Sequence, residues 1–440
     1  MARYAQDFDL EAIDILADNG QTFRLKLLFV ELNFFEDIFS PACSGNVVVR
    51  DALGIIEKLK LDGSEIIQLT YGKFVSQDET MKIDRKFRLY KVGNRKPAGN
   101  KTSEFFTMHF VSEELFLSEQ LKITNSFTGM TISDMIWNIL VKEDEGLNVS
   151  IDKLKWIQST YGVYDFLIPK LKPFQAINWL STYALPGEGL GADMVFFETK
   201  DGFYFVSLKT LFDGAPYATY SYQPSDVYES KISNQFTIME YEFVKTYDSL
   251  RAINSGMYAS RVIELDPITR TRTITNFNKP TLADATGSGT ALNRFGKYAE
   301  EMFESSVSLV FGNSSQQTEP YVQQEPRVQG DASKDIRIST TVPNRAAQLA
   351  LSTYTVMKCI IPGDTGITVG RTVNIQLSSL GIEGTAEKPS KSEDELYSGI
   401  YLVTAIRHII QEQGAFQTVL ELAKYTADLD FSSQIDTGEI

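Results

Sequence analysis

The stretch from Cys359 to Tyr425 constrains the fold more than any other part of the chain. Ile375 and Leu377 alternate with Asn374 and Gln376, the period-two pattern of a half-buried strand. Tyr401, Val403 and Ala405 then alternate with Leu402, Thr404 and Ile406. Gly414 offers a turn, after which Phe416, Thr418, Leu420 and Leu422 alternate with Gln417, Val419 and Glu421. Two long strands about a glycine-bearing turn predict a hairpin, with another strand just before it. Gly363, Gly366 and Gly370 punctuate the approach, where a turn or a close backbone contact favours a residue without Cβ. Such a pattern predicts a piece of antiparallel barrel or sandwich, and nothing in it is catalytic.

Earlier segments add to this β character. In residues 1–125, Phe23–Leu27 and Phe87–Val92 alternate, Val47–Val49 is β-branched, and Phe105–Val111 is a dense apolar run. Residues 93–104 read as a polar hairpin loop, and Asp51–Gly54 as a turn. Residues 126–225 read differently, as a mixed α+β unit. Thr131-Ile132-Ser133-Asp134 resembles a capping box, and Ile132, Met135, Ile136, Ile139 and Leu140 follow at helical spacing. Pro173 suits the first position of a second helix, with Phe174, Ile177, Leu180 and Ala184 as its stripe and Pro186-Gly187 as its end. Residues 195–208 predict a hairpin about Asp201-Gly202.

Strand patterns return over 226–425. They are interrupted by helical and loop insertions at about 280–345, including the stripe Leu292, Phe295, Tyr298, Met302 and Phe303 and the Gln-rich loop 312–335. Asn344 is a candidate cap for a short helix over 345–352. Residues 383–398 form a charged loop, and 426–440 an acidic tail with four acids and no base.

At 440 residues the chain has room for two to four domains. A formal net charge of −15 argues against nonspecific nucleic-acid binding, which needs a basic footprint. Cys43 and Cys359, far apart, leave a disulfide between them open, but the favoured reading is two buried free thiols of a reducing compartment. There is no signal peptide at the N-terminus and no run of membrane-spanning length, so the sequence reads as a cytoplasmic product.

Candidate chemistry is sparse. Residues 187–193 carry glycines but lack the G-K-[ST] of a phosphate loop and follow a helix, and residues 286–290 fail the same test. His109 and His408 both sit inside predicted strands, away from any second metal-ligand residue, and read as structural histidines. Acidic residues abound, yet no pair stands in a context that marks a glycosidase, and the runs 113–119 and 142–146 read as solvated faces or turns. The short basic clusters Arg85-Lys86, Arg95-Lys96 and Arg270 with Arg272 read as exposed strand faces. Phe34-Phe35, Phe105-Phe106 and Phe196-Phe197 read as core or subunit-contact material. No cofactor, metal or catalytic site is expected.

Several segments together resemble the central baseplate hub family of contractile-tailed bacteriophages, exemplified in T-even phages. They are residues 31–59, 105–140, 168–184, 196–208, and the opening stretch from IPGDTGITVGRTVNIQL to SGIYLVTAIRHIIQEQGAFQTVLEL. Their order and spacing cover about four-fifths of the chain. The resemblance implies a non-enzymatic, β-dominated α+β protein with two tail-tube-like β-barrel domains, 1–125 and 226–425, flanking the mixed region 126–225. It implies a ring-forming homotrimer that adapts the six-fold tail tube to the three-fold central spike. The implied partners are the spike, tail-tube or tube-initiator proteins and neighbouring baseplate proteins, with DNA passing through the bore unbound. The expected place is the virion, after assembly in the host cytoplasm.

Within the second barrel, Gly363, Gly366, Gly370, Gly399, Tyr401, His408, Gly414 and Thr418 would be the structural signature. The charged loop, with Glu383, Glu387, Lys388, Lys391, Glu393, Asp394 and Glu395, would contact the next layer of the particle. Other readings are the hub of a type VI secretion or tailocin particle, a tail-borne cell-wall hydrolase, and a receptor-binding adhesin.

Overall fold

The computed structural model describes residues 8–17, 20–73, 82–98, 103–143, 146–187, 192–222, 236–246, 248–256, 259–266, 270–278, 307–311, 345–350, 352–378, 394, 396–412 and 414–424. The stripe 292–303, the loop 312–335, Asn344 and the acidic tail lie outside them.

The first part of the chain forms β1 (Phe8–Leu16), β2 (Thr22–Arg24), β3 (Phe29–Asp37), β4 (Ser44–Asp51), α1 (Ile55–Leu59), β5 (Ile66–Lys73), β6 (Lys82–Pro97) and β7 (Glu104–Val111). The middle forms α2 (Glu113–Gln120), β8 (Ser126–Met130), α3 (Ile132–Val141), β9 (Leu154–Ile157), β10 (Tyr164–Leu167), α4 (Pro173–Ser181), β11 (Met194–Thr199), β12 (Gly202–Ser207) and α5 (Leu208–Phe212). There follow β13 (Thr219–Ser221), β14 (Glu240–Lys245), α6 (Ser249–Asn254), β15 (Ala259–Asp266), β16 (Thr271–Asn278) and β17 (Val307–Phe311). Last come β18 (Thr355–Pro362), β19 (Thr372–Gln376), β20 (Gly399–Gln411) and β21 (Phe416–Lys424).

The expected pair of closed barrels is not what forms. Strands from before and after the middle region join one 13-stranded sheet, in the order β14-β18-β21-β20-β3-β4-β7-β6-β5-β1-β2, with β13 and β19 branching from β20. That path is open, with β14 at one end and β2 at the other. Among the described residues no sheet closes into a barrel. The cause lies in β20, which takes two partners in succession along one edge. Ile400–Leu402 pair with β19, Ala405–Gln411 pair antiparallel with β3, and β21 runs along the opposite side. Its backbone groups are satisfied by joining the two halves, not by closing either one.

The first half of the sheet curls around an apolar cluster that includes Ile13, Phe34, Val47, Leu69, Phe87, Phe106 and Phe110, and reaches Ile410 and Phe416 of the last hairpin. The β11–β12 hairpin is buried on both faces. Val195, Phe197 and Val206 face the cluster under β18–β21, whereas Met194, Phe196, Phe203 and Phe205 face the helices α3 and α4. A strand alternates its side chains between faces, so one two-stranded ribbon can seal two cores.

Local chemistry explains the middle elements. Thr131 caps α3, its Oγ1 accepting from the Asp134 N–H at 3.2 Å. Pro173 is the first residue of α4, which ends at Ser181. The β11–β12 turn pairs Thr199 with Gly202, so Lys200-Asp201 form its tip, and Gly202 follows with φ +141°. Three sequence readings need correction. Residues 113–120 are helical, with Glu114 and Ser118 buried. β6 continues through a bulge to Pro97, where a loop was expected. Arg85 is not on an exposed face, since its side chain is only 13% accessible.

Candidate functional site

The fold brings Glu36, Glu198 and Arg85 together at the seam where the β11–β12 tip meets β3, β6 and the loop after β18. Glu36 on β3 is fully buried and accepts from the Lys200 N–H at 2.5 Å and the Val369 N–H at 3.2 Å. Burial pushes its carboxyl up from 4.5 to about 7, against the pull of those two N–H donors. Glu198, next to the same tip, accepts from the Cys43 N–H at 2.9 Å and from Arg85 Nη2 at 2.5 Å. Arg85 Nη1 also donates to the Thr199 carbonyl at 2.8 Å.

Burial raises the Glu198 carboxyl, which Arg85 draws back down, while burial opposes the Arg85 charge that Glu198 sustains. We take the pair as ionised, because both donors at the Glu198 carboxylate match its two oxygens and the guanidinium is held above its ordinary value. Cys43 donates its thiol to the Glu198 carbonyl at 3.4 Å, and burial pushes that thiol well above its usual range. An inert cysteine results, not a nucleophile. Cys43 and Cys359 are both free and buried.

Most signature residues of the last hairpin sit around this seam or at the far end of β20. A Cβ on Gly363 would come within 2.0 Å of the Phe416 ring, so close packing excludes any other residue there. Beside it, Thr418 Oγ1 accepts from the Asp364 N–H at 3.1 Å and lies 2.9 Å from His408 Nδ1. Asp364 in turn accepts from the Gly366 N–H at 3.0 Å and the Tyr217 hydroxyl at 3.2 Å. Gly370 has φ +81° and packs against Phe197 of β11.

His408 is sealed among Phe34, Tyr71 and Phe416. Burial, then Lys200, lowers its imidazole from 6.5 to about 3, so it is a neutral wall residue. Its Nε2 and the Tyr71 hydroxyl have no hydrogen-bond partner among the described residues. At the other end, Gly399 has φ +124° and lies beside Lys424, and the Tyr401 hydroxyl donates to the Tyr397 carbonyl at 2.7 Å. Gly414 takes φ +90° in the β20–β21 turn.

Of the charged residues named for the contact loop only Asp394 is described. Its Oδ1 accepts from the Leu396 and Tyr397 N–H groups at 3.0 and 3.1 Å, so it closes a turn. Glu383, Glu387, Lys388, Lys391, Glu393 and Glu395 lie outside the described residues. Among the described residues no group of three or more His, Cys, Asp or Glu could hold a metal ion, and no helix is long and apolar enough to cross a membrane.

The sequence contained a signal for the seam that the motif tests passed over. Arg85 interrupts the inward series Ile83, Phe87 and Leu89, and Glu36 continues the series Leu32 and Phe34. A charge in an apolar register position implies a buried partner.

No protein-family model matches the sequence. The chain is 24% identical over 389 residues to "Probable baseplate hub protein gp334" of Vibrio phage KVP40, covering 86% of each chain. The 43 kDa tail protein of prophage MuSo2 from Shewanella oneidensis matches 94% of this chain and 99% of its own, with a TM-score of 0.53 at 6% identity. The tail protein from Neisseria meningitidis MC58 matches 95% of this chain and 97% of its own, with a TM-score of 0.49 at 11% identity. The Shewanella likeness shows a shared fold. The chain is thus distantly homologous to a phage baseplate protein and shares its fold with a phage tail protein.

Proposed function

We propose that the chain is a baseplate hub protein of a contractile phage tail, coupling the tail tube to the central spike. The observation that carries this reading is the colinear match to a hub protein over 86% of both chains. The fold suits it. An open sheet that fuses both halves, locked to a mixed unit through a buried charged seam, is a rigid body for stacking between two layers of a particle. The partners are further copies of the chain, the spike, tail-tube or tube-initiator proteins and neighbouring baseplate proteins. The place is the virion, reached after assembly in the host cytoplasm. The net charge of −15 fits a bore through which DNA slides without sticking.

Co-expression of the chain with its spike and tube proteins, followed by native mass measurement, tests the reading. A stable complex containing both is expected. A chain that stays alone in every mixture overturns it. A zymogram on peptidoglycan separates this function from a cell-wall hydrolase, and no cleared band is expected.

A further inference from the structure

A groove of about 370 Å³ opens beside α6 and the helical residues 345–350, at the edge of the sheet where β14 ends. Phe39 and Leu349 line it with small alanines, and Phe39 is 48% exposed. The charged groups lining it are Lys245, Asp248 and Arg251. Asp248 is engaged in capping α6, its Oδ1 accepting from the Arg251 N–H at 2.9 Å. Lys245 Nζ donates to the Thr353 carbonyl at 2.7 Å, which leaves an ammonium two more donors. The described lining therefore combines apolar side chains with one surplus positive charge. It suits an extended segment with apolar side chains on one side and acids on the other.

The chain's own C-terminal segment has that pattern and starts at the groove. β21 ends at Lys424, which pairs with Thr355, and Thr353 and Tyr354 just before it line the groove. Residues 427–431 read Ala-Asp-Leu-Asp-Phe, so an extended backbone puts Leu429 and Phe431 on one face and Asp428 and Asp430 on the other. Seven residues beyond Lys424 reach at most about 23 Å, ample for a groove that begins one residue from the end of the strand. We propose that residues 427–431 of this chain dock in the groove, Leu429 and Phe431 against Phe39 and Leu349, Asp428 and Asp430 toward Arg251 and Lys245. The inference rests on charge, patterning and chain exit, and it is independent of the hub reading.

Hydrogen exchange on the full-length chain, at two protein concentrations, tests it. Amides of 428–432 are expected to exchange about tenfold slower than an unstructured segment, equally at both concentrations. D428K/D430K and R251E should each abolish that protection, and the three changes combined should restore part of it. The tail variant decides the matter if R251E perturbs folding, since its changes lie beyond the last strand. Exchange of 428–432 at the unstructured rate in the unaltered chain overturns the proposal, as does protection that survives D428K/D430K. Protection that grows with concentration also overturns it, since the groove would then hold the tail of a second copy.

Discussion

The cluster under β1–β7 and the seam at the β11–β12 tip are both buried, yet they hold the protein together in different ways. The first is built from rings and aliphatic chains, such as Phe34, Phe87 and Phe110, with ring centroids 5.1–5.7 Å apart. Its attraction is non-directional and grows with the apolar area removed from water. The second holds Glu36, Glu198 and Arg85, whose burial costs free energy that only well-placed donors offset. Apolar packing gives the sheet its stability, while the seam fixes where the middle unit sits on it. A slipped hairpin would keep much of its apolar burial but leave buried carboxylates without donors.

The largest losses should come from truncation on either side. Phe110→Ala empties a fully buried ring site beside Phe87 and over Gly45, and is expected to cost about 3–5 kcal/mol in urea unfolding. Arg85→Met is expected to cost about 3–5 kcal/mol too, but for another reason, because it strands the Glu198 carboxylate. The two regions part company at the next step. Adding Glu198→Gln to Arg85→Met should recover most of the loss, as the buried charge is gone and the Cys43 N–H still finds an acceptor. A double variant as unstable as the single one would make the seam an energetic core and erase the distinction.

The same two regions differ in how far the sequence revealed them. Period-two alternation located β20 and β21, and the capping box located α3, because those signals are local. The Asp201-Gly202 hairpin was legible for the same reason. What alternation cannot state is the partner of a strand. β20 meets β3 across a separation of more than 370 residues, and that single pairing turns two expected barrels into one open sheet. Arg85 looked exposed because its neighbours Lys86 and Arg88 are polar, although its register with Ile83 and Phe87 put it inside. The seam needs three distant segments at once, so only the fold assembles it.

Two buried titratable groups, Glu36 in the seam and His408 beside the aromatic cluster, should also give the protein a pH optimum. Glu36 has its folded pKa raised from 4.5 to about 7, so the folded state binds its proton more tightly than the unfolded chain. Stability from this group is full below pH 4.5 and is lost as pH rises through about 7, on the order of 3 kcal/mol at most. His408 has the opposite sign. Its pKa is lowered from 6.5 to about 3, so its contribution is full above pH 6.5 and lost as pH falls toward about 3. Maximal stability is therefore expected between pH 4.5 and 6.5. Glu36→Gln should remove the decline on the alkaline side in thermal melts, and the rise due to His408 should then continue up to about pH 6.5. An unchanged alkaline limb would mean that Glu36 stays ionised through its two N–H donors.

The smallest expected effect tests whether the middle unit melts with the sheet or apart from it. Thr131→Ala removes the side-chain cap of α3 and should cost about 1 kcal/mol. The cap lies outside both the aromatic cluster and the seam, so its loss weakens the middle unit without touching the joint. If the seam couples the two regions rigidly, urea unfolding stays a single transition and its midpoint alone shifts. Should the middle unit instead unfold first, exchange of α3 and α4 amides would speed up in the variant while β4 and β7 keep their protection. Combining Thr131→Ala with Arg85→Met separates these cases further. Rigid coupling predicts that the two losses simply add within one transition, because the sites share no partner. A joint loosened by Arg85→Met would let the cap's loss register only in the middle unit, and the transition would split.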